Sequence, residues 1–251
     1  MTLELHQFAY NQDNYGVLLH DSDRGETAMV DAGDAEAARA ALAATGWTLT
    51  QIWITHHHGD HTAGLRDIAA ETGAATYGPA GVSGVANVLA GGDSFVFAGR
   101  QVDVLATPGH TLDMLNFHLA GDRLAFTGDT LFAMGCGRLF EGDAEMMWDS
   151  LNKLMVLDDD TIIYCSHEYT AANAAFALSV DPDNQALQRR AAAVAELRAG
   201  GQPTVPTIMG LEKETNPFLR AGDPAIRQGL GMGSATDAAV FAEIRRRKDS
   251  F

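Results

Sequence analysis

The sequence predicts a two-sheet α/β core followed by a helical tail. Strand-like and helix-like segments alternate over the first two-thirds of the chain, whereas the last third contains alanine-rich helical segments alone. The 251 residues suffice for one large domain, or for a main domain with a smaller appendage. The apolar content of 46% and the charged content of 20% are typical of a globular protein.

Each predicted strand is a short apolar run followed by a turn residue. In chain order the strands are LELHQFAY, YGVLLHD, ETAMVDAG, LTQIWIT, ATYGP, DSFVFAG, RQVDVLATPG, MLNFHLAG and RLAFTGD. Two helices lie among them, DAEAARAALAATGW, which starts at an aspartate, and HTAGLRDIAAETG.

After His167 the character of the chain changes. The predicted helices are AANAAFAL, DNQALQRRAAAVAELRAGG and DAAVFAEIRRRK, and QPTVPTIMGLEKETNPFLR is predicted to be a proline-containing loop. We therefore expect a first domain over residues 1–169 and a helical second domain over residues 170–251.

The formal net charge of −16 disfavours nucleic acid and anionic membranes as partners. No apolar run reaches membrane-spanning length, and the start, MTLELHQFAY, lacks the features of a signal peptide. Two cysteines, Cys136 and Cys165, give no disulfide framework, so we expect a reducing, cytoplasmic setting. One basic cluster lies at residues 245–248, and taken alone it is better explained as a solvated helix end.

The stretch ITHHHGDHTAG places four histidines and one aspartate within six positions, directly after a predicted strand. Such side chains need partners once they leave water. Alternate residues of an extended chain share a face, so His56 and His58 can bind one ion while His57 points the other way. Asp60 and His61 follow at the predicted start of a helix, where they can face a second ion.

Three later strands each end in a turn residue and a metal-capable side chain, namely His110, Asp129 and His167. Strand ends converge at one edge of a sheet, so these side chains can join the first cluster. Asp129 is the only carboxylate of the three, which makes it the natural bridge between two cations. The alternative, a run of surface histidines beside unrelated polar residues, explains this order of donors poorly.

Other polar residues have simpler interpretations. His6, His20 and His118 lie in strand-like segments outside the set and are expected to be structural. Cys165 is expected to pack as a small hydrophobic residue. Asp31 is equally compatible with orienting a ligand histidine and with capping the helix that follows it.

The spacing His56-x-His58-x-Asp60-His61, with three further donors downstream, resembles the metallo-β-lactamase superfamily. The resemblance implies a four-layer αββα sandwich and two divalent metal ions, most simply zinc, with iron or manganese as alternatives. It assigns one ion to His56, His58 and His110. It assigns the other ion to Asp60, His61 and His167. Asp129 and a water or hydroxide would bridge both ions.

Four further stretches resemble the glyoxalase II family, the hydroxyacylglutathione hydrolases: TGDTLFAMGCGRLFEG, CSHEYTAANAAFA, EKETNPFLR and FAEIRRRKDSF. The resemblance spans nearly the whole chain and implies that the helical domain binds glutathione. The implied substrate-binding residues are Arg138, Phe140, Tyr169, Arg245 and Lys248. Arg245 and Lys248 share a helix face and are expected to bind the glycine carboxylate. Phe140 stands where some members have tyrosine, and Arg138 where some have lysine.

The resemblance implies hydrolysis of S-2-hydroxyacylglutathione, most simply S-D-lactoylglutathione, to glutathione and D-lactate, the second step of methylglyoxal detoxification. A hydroxide generated between the ions would attack the thioester, with Asp60 and Asp129 as the catalytic carboxylates. The thiolate can leave without a strong general acid, because its parent thiol has a pKa of about 8.5.

The main alternative is a glutathione persulfide dioxygenase with a single iron, which would need neither the full second site nor the basic tail. A nuclease is disfavoured by the acidic charge. A binding module without metal would be expected to have lost a ligand, and none of the seven is missing. We therefore expect a small-molecule glutathione thioester as partner, no nucleic acid or membrane, and a monomer.

Overall fold

The computed structural model describes residues 3–251. These residues divide into two compact units. The first runs up to Ala106 and includes Asp113–Gly128, and the second consists of Thr107–Leu112 and Asp129–Phe251. Among the described residues, no helix combines the length and the apolar character needed to cross a membrane.

The first unit contains a six-stranded sheet in the order β1-β2-β3-β4-β5-β6. Strands β1 to β3 pair antiparallel, whereas β3, β4, β5 and β6 pair in parallel. The strands are β1 (Leu3–Tyr10), β2 (Asn14–Asp21), β3 (Glu26–Val30), β4 (Leu49–Trp53), β5 (Ala75–Gly78) and β6 (Asn87–Val88).

Four more strands of this unit pair antiparallel in the order β10-β9-β8-β7. They are β7 (Ser94–Phe97), β8 (Arg100–Ala106), β9 (Leu115–Leu119) and β10 (Leu124–Gly128). Trp53 on β4 joins the two sets of strands. Its ring centroid lies 5.2 Å from that of Phe95, 5.4 Å from that of Phe97 and 5.6 Å from that of Phe117. Aromatic packing of this kind fixes the spacing of two sheets.

Helices pack on the six-stranded sheet of the first unit. They are α1 (Ala35–Thr45), α2 (Gly59–Thr62) and α3 (Leu65–Thr72). Asp34 caps α1 by accepting hydrogen bonds from the backbone N–H groups of Glu36 and Ala37. The apolar faces of α1 and α3 are buried in one core with side chains of β2, β3 and β4.

The second unit is mostly helical. Its elements are β11 (Leu131–Phe132), β12 (Gly135–Cys136), α4 (Ala144–Met155), β13 (Ile162–Cys165), α5 (Thr170–Val180), α6 (Gln185–Ala199), β14 (Thr207–Ile208), α7 (Met209–Thr215), α8 (Pro224–Leu230) and α9 (Asp237–Asp249). Strands β11 and β12 form a hairpin, and β13 pairs with β14. An aromatic row, Trp148, Phe241, Phe218 and Phe176, connects α4, α9 and α5.

Two predicted segments differ in the structure. The helix predicted over HTAGLRDIAAETG is divided into α2 and α3. The loop predicted over QPTVPTIMGLEKETNPFLR is wrong in part, because it contains β14 and α7. Helix α7 is only seven residues long, and the burial of Met209 and Glu212 stabilises it more than its own periodicity does.

Candidate metal centre and substrate site

The metal-capable residues of the first unit follow its central strands. Asp31 follows β3, and Thr55 and His56 follow β4. Because β3 and β4 are parallel, their carboxyl ends meet at the same edge of the sheet. His61 lies in α2, directly beyond this edge, and both His56 and His61 are fully buried.

The donors of the first unit converge in two pairs. The Nε2 atom of His56 lies 3.0 Å from Nδ1 of His58. The Nε2 atom of His61 lies 3.4 Å from Oδ2 of Asp60. His57 is exposed instead, and its Nδ1 lies 3.0 Å from Oδ1 of Asp113. The alternation of faces predicted from the sequence is therefore visible at His57.

Asp31 is a buried carboxylate that orients two histidines. His61 donates its Nδ1–H to Oδ2 of Asp31 over 2.8 Å. The Thr55 hydroxyl donates to the same carboxylate and lies 3.0 Å from Nδ1 of His56, from which it can accept. Both rings therefore present Nε2 as the lone-pair nitrogen. Of the two interpretations of Asp31, the structure supports ligand orientation, since Asp34 caps the helix.

Asp60 is held by two residues that were not foreseen from the sequence. Asn14 donates its side-chain N–H to Oδ2 of Asp60 over 3.0 Å. The Tyr10 hydroxyl donates to the backbone carbonyl of Asp60 over 2.9 Å. These contacts join positions 46 and 50 residues apart, and no local pattern signals them.

The second unit carries the other three donors, and all three are buried. One carboxylate oxygen of Asp129, Oδ2, lies 3.3 Å from Nε2 of His110 and 3.3 Å from Nε2 of His167. His110 donates its Nδ1–H to the carbonyl of Arg138 over 2.9 Å, which leaves Nε2 as its lone-pair nitrogen. One carboxylate oxygen of Asp129 therefore lies within reach of both imidazoles.

Gly137 allows the chain to pass close to Asp129. A Cβ atom at position 137 would lie 2.0 Å from the Asp129 carbonyl oxygen and 3.1 Å from Nδ1 of His110. The neighbouring Thr107 and Thr130 hydroxyls form a buried hydrogen bond of 2.8 Å. The segment before His110 is thereby fixed to the residue after Asp129.

Two of the predicted substrate residues lie against these histidines. The ring of Tyr169 stacks on His167 with a centroid distance of 4.7 Å and an interplanar angle of 3°. The ring of Phe140 meets His110 edge-on at 5.2 Å and is 62% exposed. Arg138 is exposed as well. Three side chains beside the donors are thus accessible to a bound molecule.

The two cations predicted to bind the glycine carboxylate have different environments. Arg245 is 4% exposed, donates to the Cys136 carbonyl over 3.0 Å and pairs with Asp249 over 2.8 Å. Lys248 is half-buried, and its Nζ lies 5.2 Å from the ring centroid of Phe176. Burial lowers the pKa of Lys248, and the charges of Arg245 and Arg138 lower it further.

The remaining basic residues of α9, Arg246 and Arg247, both pair with Glu243 and are solvated, as predicted. Both cysteines are free and buried. Burial raises the pKa of Cys136 to about 11 and that of Cys165 to about 12, so neither thiol is a nucleophile near neutral pH.

The donor set suits divalent metal ions. Imidazole nitrogens with a fixed tautomer and carboxylate oxygens bind zinc, iron and manganese alike. Four of the proposed ligand histidines are buried in the described part of the chain. In three of them, His61, His56 and His110, Nδ1 contacts Asp31, Thr55 or a backbone carbonyl, so that Nε2 is left for the metal. The residues therefore fit bound metal ions, and the donor chemistry does not distinguish one metal from another.

Replacing Asp31 with Asn should weaken metal binding about 10–100-fold, because the rings of His61 and His56 lose the acceptor that fixes their tautomers. Competition with a chromogenic chelator measures the change. Asp34→Asn is the matched control, since asparagine caps a helix as well as aspartate does. Equal metal affinity in wild type and Asp31→Asn would refute the orienting role.

Replacing Gly137 with Ala should reduce the bound metal per chain and the activity together, because its Cβ would overlap the Asp129 carbonyl. Elemental analysis of the purified variant measures the loss. Gly121→Ala serves as control, since a Cβ there has no atom within 4 Å. Full metal content in Gly137→Ala would contradict the required close approach.

Comparisons with known proteins cover the whole length of the chain. A family model for the metallo-beta-lactamase superfamily matches residues 12–85 and 82–167, and a model for the hydroxyacylglutathione hydrolase C-terminus matches residues 168–251. A hydroxyacylglutathione hydrolase of Rhizobium meliloti (strain 1021) is 55% identical over 99% of both chains. That of Maricaulis maris (strain MCS10) is 52% identical, also over 99% of both.

Solved structures agree on the fold. ETHE1 from Myxococcus xanthus superposes with a TM-score of 0.70 at 25% identity, over 98% of this chain and 90% of that one. The BLEG-1 B3 metallo-beta-lactamase gives 0.66 at 21% identity, over 86% and 99%. The predicted α/β class, metallo-β-lactamase fold and helical C-terminal region are confirmed. The chain belongs to the hydroxyacylglutathione hydrolase family of the metallo-β-lactamase superfamily.

Proposed function

We propose that this hydrolase cleaves S-2-hydroxyacylglutathione thioesters, most simply S-D-lactoylglutathione, to glutathione and D-lactate. One observation carries the proposal: relatives named hydroxyacylglutathione hydrolase match the chain over 99% of its length at 50–55% identity. The match includes the helical region after residue 167, which has its own family model. The reaction would be the second step of methylglyoxal detoxification.

The proposed site holds two divalent ions, with zinc as the expected metal. One ion would be bound by His56, His58 and His110. The other would be bound by Asp60, His61 and His167. Asp129 would bridge them. The convergence of His56 with His58, and of His61 with Asp60, supports this division, as does the position of Asp129 between two imidazoles.

The protein's own residues prepare this site for the reaction. When bound, two cations acidify water and polarise a thioester carbonyl. Asp31 keeps two imidazoles in the metal-binding tautomer, and Asn14 fixes the carboxylate of Asp60 beside His61. Asp60 and Asp129 are thus the proposed catalytic carboxylates. No general acid is required for a thiolate leaving group, whose parent thiol has a pKa of about 8.5.

The substrate's glutathione part is proposed to bind along the second unit. Tyr169 and Phe140 provide apolar faces beside His167 and His110. The charges of Arg138 and Arg245 both act on Lys248, so three cations lie near one another. An anionic carboxylate relieves this repulsion, which fits the glycine end of glutathione.

Other aspects of the organisation also remain proposals. We place the boundary between a catalytic domain and a glutathione-binding domain at residues 169 and 170. The two family models meet two residues earlier, at residues 167 and 168, which supports a boundary in this region. A cytoplasmic location is compatible with two free cysteines. A monomer is expected, and sedimentation analysis tests it.

A glutathione persulfide dioxygenase with a single iron is the alternative. The chain is 25% identical in sequence to ETHE1. It is 55% and 52% identical, over 99% of its length, to the two hydroxyacylglutathione hydrolases, so the likeness to ETHE1 is the weaker one. The family-model match to residues 168–251 also favours hydrolysis. Metal stoichiometry and oxygen uptake separate the two reactions.

The decisive assay follows the thioester absorbance of S-D-lactoylglutathione, with metal analysis of the same sample. We expect rapid hydrolysis and about two metal ions per chain. Asp129→Ala should lose most of its metal and its activity, because both ions share this ligand. One iron per chain, no hydrolysis and oxygen uptake with glutathione persulfide would favour the dioxygenase instead.

Replacing Lys248 with Ala should raise KM for the thioester about tenfold, the usual loss for one charge-assisted hydrogen bond, with kcat nearly unchanged. Steady-state kinetics at constant ionic strength measures both constants. Arg246→Ala is the matched control on the same helix, because the Arg246 side chain is solvated and pairs with Glu243 on the helix surface. An unchanged KM in Lys248→Ala would count against the carboxylate subsite.

A further inference from the structure

The β11–β12 hairpin connects the two parts of the proposed site within the second unit. Asp129 lies two residues before its first strand, and Arg138 lies two residues after its last. Phe132 on the hairpin contacts the rings of both His167 and Tyr169, at 5.8 Å and 5.5 Å. The position of this hairpin therefore affects a metal ligand and two substrate residues at once.

The hairpin cannot hold its own position. Its strands pair over two residues each, and a two-stranded hairpin of this size is not stable alone in water. Its turn includes Met134, which has a left-handed backbone (φ 55°) without being glycine. Such a backbone persists only where surrounding groups fix it.

Two fully buried side chains of the EKETNPF stretch provide that fixation. Glu212 accepts a hydrogen bond from the Met134 backbone N–H over 2.9 Å. Asn216 donates to the Phe132 carbonyl over 3.2 Å and to the Gly135 carbonyl over 3.0 Å. Asn216 also donates to Glu212 over 3.0 Å, so the two side chains act as one group.

A third side chain, from α5, bonds to the turn of the hairpin. Asn173 donates to the Ala133 carbonyl over 3.1 Å. Its amide packs so closely that a Cβ atom at Gly135 would lie 2.4 Å from it. Arg190 and the Thr207 hydroxyl bond to Glu212, which compensates the burial of its charge. We call Asn173, Glu212 and Asn216 the hairpin anchor.

We propose that the hairpin anchor positions glutathione for the reaction, with Glu212 and Asn216 as its principal positioning residues. The proposal rests on the proposed thioesterase function. Four consecutive hairpin residues, 132–135, are each bonded by an anchor side chain, and none of these four bonds goes to a proposed metal ligand. The helical region after residue 167 thus acts on the site through the backbone of the hairpin.

The effect should fall more on substrate binding than on turnover. On the Asp129 side, the Thr107–Thr130 hydrogen bond holds the chain independently of the anchor. On the other side, the carbonyls of Arg138 and Cys136 accept from His110 and Arg245, so residues 132–135, between the two ends, depend most on the anchor. Loss of the anchor should therefore displace the ring of Phe132, and with it the substrate residue Tyr169, while Asp129 stays in place.

The test compares Asn216→Ala with Thr215→Val, a matched control. Thr215 is the last residue of α7, directly before Asn216, and is equally buried. Its hydroxyl accepts from Arg190 and donates to the Leu211 carbonyl rather than to the hairpin. We expect Asn216→Ala to raise KM about tenfold or more, with kcat within about threefold, because misplacement affects binding geometry first. Thr215→Val should keep the wild-type KM.

Amide hydrogen exchange over residues 131–137 provides a readout that is independent of turnover. Exchange should accelerate in Asn216→Ala and not in Thr215→Val. Unchanged exchange in Asn216→Ala would overturn the anchor, and so would wild-type KM values with faster exchange. Equal KM increases in both variants would reduce the effect to general destabilisation and would overturn the positioning role as well.

A second variant, Asn173→Ala, tests the same proposal if Asn216→Ala fails to fold. It removes one bond to the hairpin, so we expect the same changes at smaller size, and a wild-type KM with wild-type exchange would overturn the proposal. A different result would be that the wild-type protein fails to hydrolyse the thioester while amide exchange in its hairpin still depends on Asn216. That result would refute the proposed function and leave the anchoring contact established.

Discussion

The hydrogen bond between the buried Asp31 carboxylate and His61 is the constraint on which the first unit's part of the site depends. A neutral imidazole binds a metal only through its unprotonated nitrogen, so its other nitrogen must be given a fixed acceptor. Asp31 does this for His61 directly and for His56 through the Thr55 hydroxyl. Because β3 and β4 are parallel neighbours, one carboxylate reaches both residues. The parallel pairing of β3 with β4 therefore determines which ring nitrogen His56 and His61 can offer to a metal ion.

The donors themselves were predictable from the sequence because their signals are local. Metal-capable side chains follow apolar strands at a turn residue, and this arrangement can be recognised without knowing the fold. The partners that orient them were not predictable in the same way. Asn14 reaches Asp60 across 46 residues, and the choice between two roles for Asp31 depended on whether another residue capped α1. Tertiary contacts of this kind leave no periodic pattern.

The fold was predictable to a similar degree. Strands with clear apolar runs and helices with an aspartate cap appear where the sequence indicates them. Helix α7 was missed because it is short and lies between prolines. Its stability comes from the burial of Met209 and of Glu212, which has polar partners, rather than from a periodic apolar face. A fully buried glutamate has no signature in a single sequence, since most glutamates are solvated.

The strongest argument for an anion at the second unit is the arrangement of its cations. The protein has a formal net charge of −16, yet Lys248 lies near two other cations: burial lowers its pKa, and the charges of Arg245 and Arg138 lower it further. Like charges placed together cost stability, and Asp249 offsets only part of this by pairing with Arg245. Arg245 is buried and bonded to the hairpin, so Lys248 and Arg138 are the two members of the group with exposed surface. The proposed glycine carboxylate of glutathione, bound beside them, would offset this repulsion.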